Sequence, residues 1–138
     1  MFADFSVSAS GLEAQRLRLN TISSNLSNVN TTRGLNGEPY RRRDVVFEAD
    51  HSFNKVLNNA GYSIPVKVKG VVEDMTPFKT IYEPGHPDAN QNGYLQLPNV
   101  NVVEEMVNMI SAMRAYDASI SAFKTSRDMM NKALNMGR

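Results

Sequence analysis

The 138-residue chain contains no cysteine, and this absence alone removes several classes of site. Disulfide frameworks, zinc sites with cysteine ligands, iron–sulfur clusters and thiol nucleophiles all require that residue. Two histidines, His51 and His86, are the candidate imidazole ligands. His86 and Asp88 form a His-x-Asp pair, but a metal site needs one or two further ligands at suitable spacing. We therefore expect no metal or cofactor, and a hydrogen bond that stabilises the turn around His86.

The chain also lacks a strong charge of either sign. Fifteen Lys and Arg against fourteen Asp and Glu leave a net charge of +1, which indicates no general surface for nucleic acid or anionic membranes. No stretch approaches the roughly 18 apolar residues of a membrane span. Residues 1–19 lack the apolar run of a cleaved secretory signal. The sequence therefore predicts neither nucleic-acid binding nor membrane insertion.

Catalytic motifs are equally scarce. No serine lies in a Gly-x-Ser-x-Gly context, and no glycine-rich phosphate loop is present. The adjacent carboxylates Glu104 and Glu105 fall at a predicted helix start, where the helix dipole explains them without acid–base chemistry. We therefore predict that the protein is not an enzyme.

What the chain does have is a long helical pattern near its C-terminus, between Asn101 and Asn135. Apolar residues there recur at alternating steps of four and three, the period of helices that supercoil around a partner. Such a helix is on the order of 50 Å long and needs a partner along its whole length. Asn99 or Asn101 is expected to cap it. The predicted C-terminal seam comprises Val102, Met106, Met109, Met113, Tyr116, Ile120, Phe123, Met130 and Leu134, interrupted by Arg127.

A weaker pattern with the same seven-residue spacing lies in a second predicted helix, from Phe5 to Asn28. We interpret Asn25, Asn28 and Asn30 as residues that cap and terminate this helix, since short polar side chains bond their own backbone. The predicted N-terminal seam comprises Phe5, Leu12, Leu19, Ile22, Leu26 and Val29.

Two charged residues are a candidate register pair for these helices. If Val29 lies opposite Val103 in an antiparallel arrangement, Arg127 comes close to Phe5 and within reach of Asp4. The simpler interpretation of Arg127 is a side chain that extends its charged end into water.

The middle of the chain is predicted to form a small β insertion. Residues Tyr40–Phe47 and Ile64–Val72 are strand-like, and Asn58–Gly61 marks a turn between them. The segment Pro77–Pro98 is rich in proline, glycine and asparagine, so we predict an ordered loop without regular elements. The first strand begins with three consecutive cations, Arg41, Arg42 and Arg43. We interpret them as a solvated face or, alternatively, as a contact with an acidic patch on a neighbouring subunit.

These pieces predict a mainly α fold with a small β insertion. Residues 1–30 and 101–138 are the assembly helices, and 31–100 are the β-rich insertion and long loop. The terminal helices are expected to form an antiparallel coiled-coil-like hairpin that flanks the β/loop segment. Because the insertion has few large apolar side chains, it cannot cover both helices, and apolar surface is left for other chains.

Several runs, in order along essentially the whole chain, resemble one known family. Residues 82–109 (YEPGHPDANQNGYLQLPNVNVVEEMVNM) are similar, nearly residue for residue, to proximal-rod proteins of the bacterial flagellar basal body. Residues 10–16 (SGLEAQR) and 24–28 (SNLSN) resemble an N-terminal signature shared by flagellar rod and hook proteins. Ser27 and Met113 are small departures that affect local packing. Further matching runs are residues 37–43, 45–47, 74–77 and 114–116.

The resemblance implies a structural subunit of the hollow shaft that crosses the periplasm and transmits torque. It also implies export through the flagellar type III apparatus without a cleaved signal. The implied partners are other copies of the chain, other proximal and distal rod proteins, and the hook–basal-body adaptor. In this family the paired helices line the tube and the insertion faces outward. The alternatives are a soluble helical adaptor or export chaperone that binds a single partner and, more remotely, a cell-wall hydrolase.

Overall fold

The computed structural model describes residues 2–34, 36–50 and 64–137, with side chains from Phe5 onward. The predicted turn at Asn58–Gly61 lies outside the described residues. The described part is mainly helical with a small β insertion, as the sequence predicts. Its elements are α1 (Phe2–Ser27), β1 (Arg43–Ala49), β2 (Val66–Glu73), β3 (Lys79–Tyr82), β4 (Tyr94–Leu97) and α2 (Val102–Met136).

The long helix α2 begins where the sequence indicates. The side chain of Asn101 caps it by accepting a hydrogen bond from the backbone N–H of Val103 at 3.2 Å. This bond satisfies one of the amide groups that the first turn leaves without a helical partner. The prediction that Asn99 or Asn101 caps the helix is confirmed for Asn101.

The two predicted strands pair with each other. Strands β1 and β2 are antiparallel, with Arg43 opposite Glu73 and Ala49 opposite Val66. The register shifts between Val46 and Phe47, where an irregularity interrupts the ladder. This hairpin also contacts α1, since the Ser10 hydroxyl accepts a 3.1 Å hydrogen bond from the N–H of Val66. The first hairpin is therefore fixed to the N-terminal helix.

The expectation of a loop without regular elements across Pro77–Pro98 is wrong. Strands β3 and β4 form a second antiparallel hairpin there, and the rings of Tyr82 and Tyr94 meet edge to face at 5.4 Å. Gly93 takes a φ of +79° beside this pair, a conformation that side chains other than glycine rarely adopt. The prolines mislead because none of them interrupts either strand; they lie at 77, 84, 87 and 98.

The two helices lie side by side and run in opposite directions. Phe5 near the start of α1 meets Phe123 of α2 edge to face at 5.2 Å, while Asn25 near its end bonds to Glu105. Between these contacts the helices approach closely at one pair of small residues: a Cβ on Gly11 would lie 3.3 Å from the hydroxyl of Ser119. Small side chains let the two backbones approach closely. Among the described residues, few apolar side chains are buried: Ala14, Ile22, Val45, Leu95, Val100 and Ala112.

None of the described helices combines the length and the apolar character that crossing a membrane requires.

Candidate functional site

A buried polar cluster joins the two helices to the first hairpin. We call its three side chains, Asn25, Arg42 and Glu105, the polar anchor. Asn25 lies near the end of α1, Arg42 directly precedes β1, and Glu105 lies in the first turn of α2. Asn25 and Glu105 are both fully buried, and only 18% of the Arg42 side chain is exposed. The anchor is therefore the place where three separate parts of the chain are held together.

Asn25 uses its whole amide group in this cluster. Its Nδ2 donates to the carbonyl oxygen of Arg43 at 2.8 Å and to Glu105 Oε2 at 3.0 Å. Its Oδ1 accepts from the hydroxyl of Tyr40 at 2.9 Å and from the N–H of Arg43 at 3.0 Å. These four bonds use both donors and both acceptor sites of the amide. The interpretation of Asn25 as a helix-terminating residue is therefore wrong, although Asn28 does bond back to the carbonyl of Ser24 at 2.9 Å.

Arg42 is the cation of the anchor. Its Nε donates to Glu105 Oε1 at 2.7 Å, and Nη1 lies 3.5 Å from Asp44 and 3.6 Å from Asp74. Burial alone would lower the pKa of Arg42, but the hydrogen bond and charge of Glu105, with help from Asp44 and Asp74, raise it above its ordinary value. The guanidinium therefore stays charged, and the ion pair compensates for the loss of water around both groups.

Two interpretations from the sequence need correction here. Glu105 does not merely face the helix dipole, because it is the fully buried partner of Arg42. Arg42 does not lie on a solvated face, since its charge is directed into its own chain. Its neighbours differ: Arg41 stacks over the ring of Phe78 at 4.3 Å, and the half-exposed Arg43 binds Glu73 at 3.2 Å. The three arginines do not share one solvated strand face, because β1 begins only at Arg43.

Asn99 ties the segment before α2 to the same place. Its Oδ1 accepts from the N–H of Arg42 at 2.8 Å, and its Nδ2 donates to the carbonyls of Asp74 at 3.0 Å and Thr76 at 3.2 Å. The N–H of Asp74 in turn donates to the carbonyl of Arg42 at 2.8 Å. The segment before α2 is therefore held to the start of β1 and to the residues after β2 by the side chain of Asn99.

The folding stability of this region depends on pH through the carboxyl group of Asp74. The N–H of Thr76, 3.0 Å from Asp74 Oδ1, is the main cause that lowers the pKa of Asp74, with the charge of Arg42 adding to it. A lowered folded-state pKa contributes stability above the ordinary value of 3.8, and this contribution is lost as the pH falls through the lower folded-state value.

We therefore expect the wild-type chain to lose its stability advantage over Asp74→Asn as the pH falls below 3.8. Urea unfolding of both proteins at a series of pH values measures the difference. Glu83→Gln, at an exposed carboxylate outside this cluster, is the control for a changed surface charge. A difference between wild type and Asp74→Asn that stays constant across this range would contradict the assignment.

The predicted seams are distributed unevenly in the structure. In the N-terminal seam Ile22 is buried, and Phe5, Leu12, Leu19, Leu26 and Val29 are half-buried. In the C-terminal seam, Met109, Tyr116, Ile120, Phe123 and Met130 are half-buried, whereas Val102, Met106, Met113 and Leu134 are exposed.

The face that α2 turns toward α1 is rotated slightly from the predicted one. One row of the predicted seam, which includes Met109 and Phe123, is retained. The other row begins one residue earlier than predicted and consists of small or polar residues: Glu105, Ala112, Ser119 and Ser126. An apolar pattern cannot reveal such a row, although its regular seven-residue spacing is visible in the sequence.

The candidate register pair is only partly described. Arg127 is exposed, and its Nη2 lies 3.5 Å from Asp128 Oδ1. The side chain of Asp4 lies outside the described residues.

Rotation of α2 leaves a band of apolar side chains uncovered on its first half. We call this band the apolar stripe. Its spacing of three and four residues places all its members on one flank of the helix. The exposed fractions are 70% for Val103, 53% for Met106, 61% for Val107, 52% for Ile110 and 51% for Met113.

A cleft of about 600 Å³ lies between α1, Val68 of β2 and Tyr116 of α2. Its charged lining residues are Glu13 and Arg16, with no serine or histidine that could act as a nucleophile or base. Within the described residues no three His, Cys, Asp or Glu side chains are grouped to hold a metal ion. His86 Nδ1 accepts the N–H of Asp88 at 3.1 Å, which confirms the predicted turn bond.

Comparison with known proteins decides the family. A family described as "Flagella basal body rod protein" matches residues 5–33, and one described as "Flagellar basal body rod FlgEFG protein C-terminal" matches residues 91–136. The chain is 43% identical to the flagellar basal-body rod protein FlgC of Salmonella typhimurium, over 97% of this chain and 96% of that one. The chain belongs to the FlgC family of flagellar basal-body rod proteins.

Relatives from other bacteria extend the match. FlgC of Bacillus subtilis is 43% identical over 99% of this chain and 98% of its own, and FlgC of Borreliella burgdorferi is 41% identical over 97% and 95%. The chain is therefore a structural protein of the flagellar basal-body rod and not an enzyme.

The two matched regions carry different parts of the anchor. The first contains α1 with Asn25, and the second contains β4 and α2 with Glu105. Arg42 lies between them, in the insertion. The anchor therefore links the two helical regions of a rod protein to the segment that separates them.

Proposed function

We propose that this chain is a subunit of the proximal rod, the hollow shaft that crosses the periplasm and transmits torque. In this proposal residues 1–30 and 101–138 are assembly helices that pair as an antiparallel coiled-coil-like hairpin, and residues 31–100 are the insertion between them. The exposed apolar stripe on α2 is the observation that supports the proposal.

The stripe carries the argument because its five side chains are all more than half exposed in the single chain. Burying a Val, Ile or Met side chain completely contributes about 1.5–3 kcal/mol, so covering the exposed halves of five of them contributes several kcal/mol. A contiguous band of this kind is typical of a protein–protein contact. The remaining exposed members of the C-terminal seam, Val102 and Leu134, extend the proposed contact toward both ends of α2.

The proposed partners follow from family membership. They are other copies of this chain, the other proximal and distal rod proteins, and the hook–basal-body adaptor. Delivery through the flagellar type III export apparatus, without a cleaved signal, is part of the same proposal. Arg41 and Arg43 remain proposed subunit contacts, whereas Arg42 is held within its own chain.

A paired charge substitution tests the stripe. Met106→Glu with Met113→Glu is expected to abolish swimming in a strain that depends on this protein, because two charges are then buried against a neighbour. The free energy of unfolding of the isolated chain is expected to change by less than about 0.5 kcal/mol for each exposed site. Motility on soft agar and urea unfolding measure the two effects.

Ser111→Glu with Ala118→Glu is the matched control, since it adds the same two charges, also seven residues apart, at exposed positions of the same helix outside the stripe. Normal swimming by the doubly substituted strain would contradict the proposed contact. A stable one-to-one complex with a single partner, without larger assemblies, would favour the adaptor or export chaperone instead.

A further inference from the structure

One row of the interface between α1 and α2 contains little that fixes how the two helices align lengthwise. On α2 this heptad-spaced row comprises Glu105, Ala112, Ser119 and Ser126, and the facing row on α1 includes Gly11 and Asn25. Gly11 meets Ser119 in the structure. Ala112 and Ser126 are similarly small, so a shift of seven residues in either direction places another small side chain opposite Gly11.

One contact in this row differs from the others. Asn25 and Glu105 are both fully buried and bonded to each other at 3.0 Å. A shift of seven residues, about 10 Å along the helix, would place Asn25 opposite Ala112 or beyond the start of α2. The amide of Asn25 and the carboxylate of Glu105 would then no longer bond to each other. Glu105 would also lose its 2.7 Å contact with Arg42.

We propose that Asn25, Arg42 and Glu105 determine the register of α1 against α2. The anchor disfavours shifted alignments because they separate the buried amide of Asn25 from Glu105 and the carboxylate of Glu105 from Arg42, which is strongly unfavourable. Fixing register is the best-attested role of isolated polar groups in helical interfaces. Arg42 extends this role to the first hairpin, so that the helices and β1 share one alignment.

The register has a consequence for the exterior. It sets how far α2 extends past the start of α1 and where the apolar stripe lies relative to the first hairpin. The anchor residues act through the position of other side chains and do not themselves need to touch a neighbouring subunit. The inference concerns the single chain and therefore stands or falls separately from the proposed rod contact.

Engineered cysteines measure the register directly, because the natural chain has none. Gly11→Cys with Ser119→Cys reports the observed alignment. Gly11→Cys with Ala112→Cys, and Gly11→Cys with Ser126→Cys, report the two alignments shifted by seven residues. Each pair is introduced into the full chain and oxidised under mild conditions, and intramolecular disulfides are quantified by mass spectrometry.

The pairs are compared in two backgrounds. In the natural background the observed pair is expected to cross-link at least about tenfold more than either shifted pair, as a strongly specified register requires. In the Asn25→Leu, Arg42→Met, Glu105→Leu background, the shifted pairs are expected to gain at least about fivefold. Exclusive cross-linking of the observed pair in this apolar background would overturn the proposal, because the small residues alone would then set the register.

A second variant covers the case in which the apolar background does not fold, as judged by far-ultraviolet circular dichroism. Glu105→Gln keeps the shape of the side chain and removes its charge. It is expected to raise the shifted cross-links above those of the natural chain. If it leaves them unchanged, the proposal is overturned. Glu104→Gln, at the exposed neighbouring position, is the control and is expected to change no ratio.

Discussion

Replacing Glu105 by alanine is expected to lower the free energy of unfolding by about 3 kcal/mol. Breaking a buried ion pair by removing one partner typically costs 3–5 kcal/mol, because the other charge stays buried without compensation. The lower end applies since Arg42 keeps Asp44 at 3.5 Å and Asp74 at 3.6 Å. Urea unfolding of the isolated chain, followed by circular dichroism, measures this loss.

Two further variants separate the causes. Glu104→Ala removes an exposed carboxylate at the adjacent position and is expected to change stability by less than about 0.5 kcal/mol. Arg42→Met combined with Glu105→Leu removes both charges and is expected to recover part of the loss, as exchange of a buried pair for apolar groups often does. A double variant no more stable than Glu105→Ala would contradict the explanation that the unpaired, buried charge of Arg42 causes the loss of stability.

The sequence predicts the helices well because their signals are local and repeated. Helix α2 begins at Val102 and ends at Met136, close to the predicted Asn101 and Asn135, since a cap residue and a long apolar period mark it. Helix α1 ends at Ser27, one residue before the predicted end. The second hairpin is missed because the prolines that suggest a loop all lie outside its two short strands.

The polar anchor could not be predicted from the same signals. Each of its members has an adequate local explanation: Asn25 as a terminating residue, Arg42 as part of a solvated run, and Glu105 as a partner of the helix dipole. Their contacts join positions 80 residues apart for Asn25 with Glu105, and 63 apart for Arg42 with Glu105. Spacing along the chain carries no information about such pairs.

The rotated face of α2 has a related cause. Apolar periodicity selects Met106 and Met113 for the seam, yet the structure buries Glu105 and Ala112 instead. Small residues on both helices bring the backbones together at Gly11 and Ser119, and this close approach displaces the larger side chains to the flank. One row of the predicted seam therefore stays against α1, whereas Met106 and Met113 lie on the exposed flank of α2.

Asn25→Ala is the second substitution with a large expected effect, about 3 kcal/mol of lost stability. The truncated side chain leaves the N–H and carbonyl of Arg43, the hydroxyl of Tyr40 and one oxygen of Glu105 each short of a hydrogen bond. An unsatisfied buried polar group costs about 1–3 kcal/mol, and water that enters the space recovers part of the sum. Urea unfolding measures the loss.

Two companion substitutions distinguish lost hydrogen bonds from lost packing. Asn28→Ala removes an amide of the same size whose bonds stay within its own turn, to Ser24 and Thr31, and is expected to cost about 1 kcal/mol or less. Asn25→Asp fills the same volume but cannot donate, and it brings a second negative charge against Glu105. It is therefore expected to destabilise at least as much as Asn25→Ala. If Asn25→Asp were instead as stable as the natural chain, volume rather than hydrogen bonding would explain why this position carries an amide.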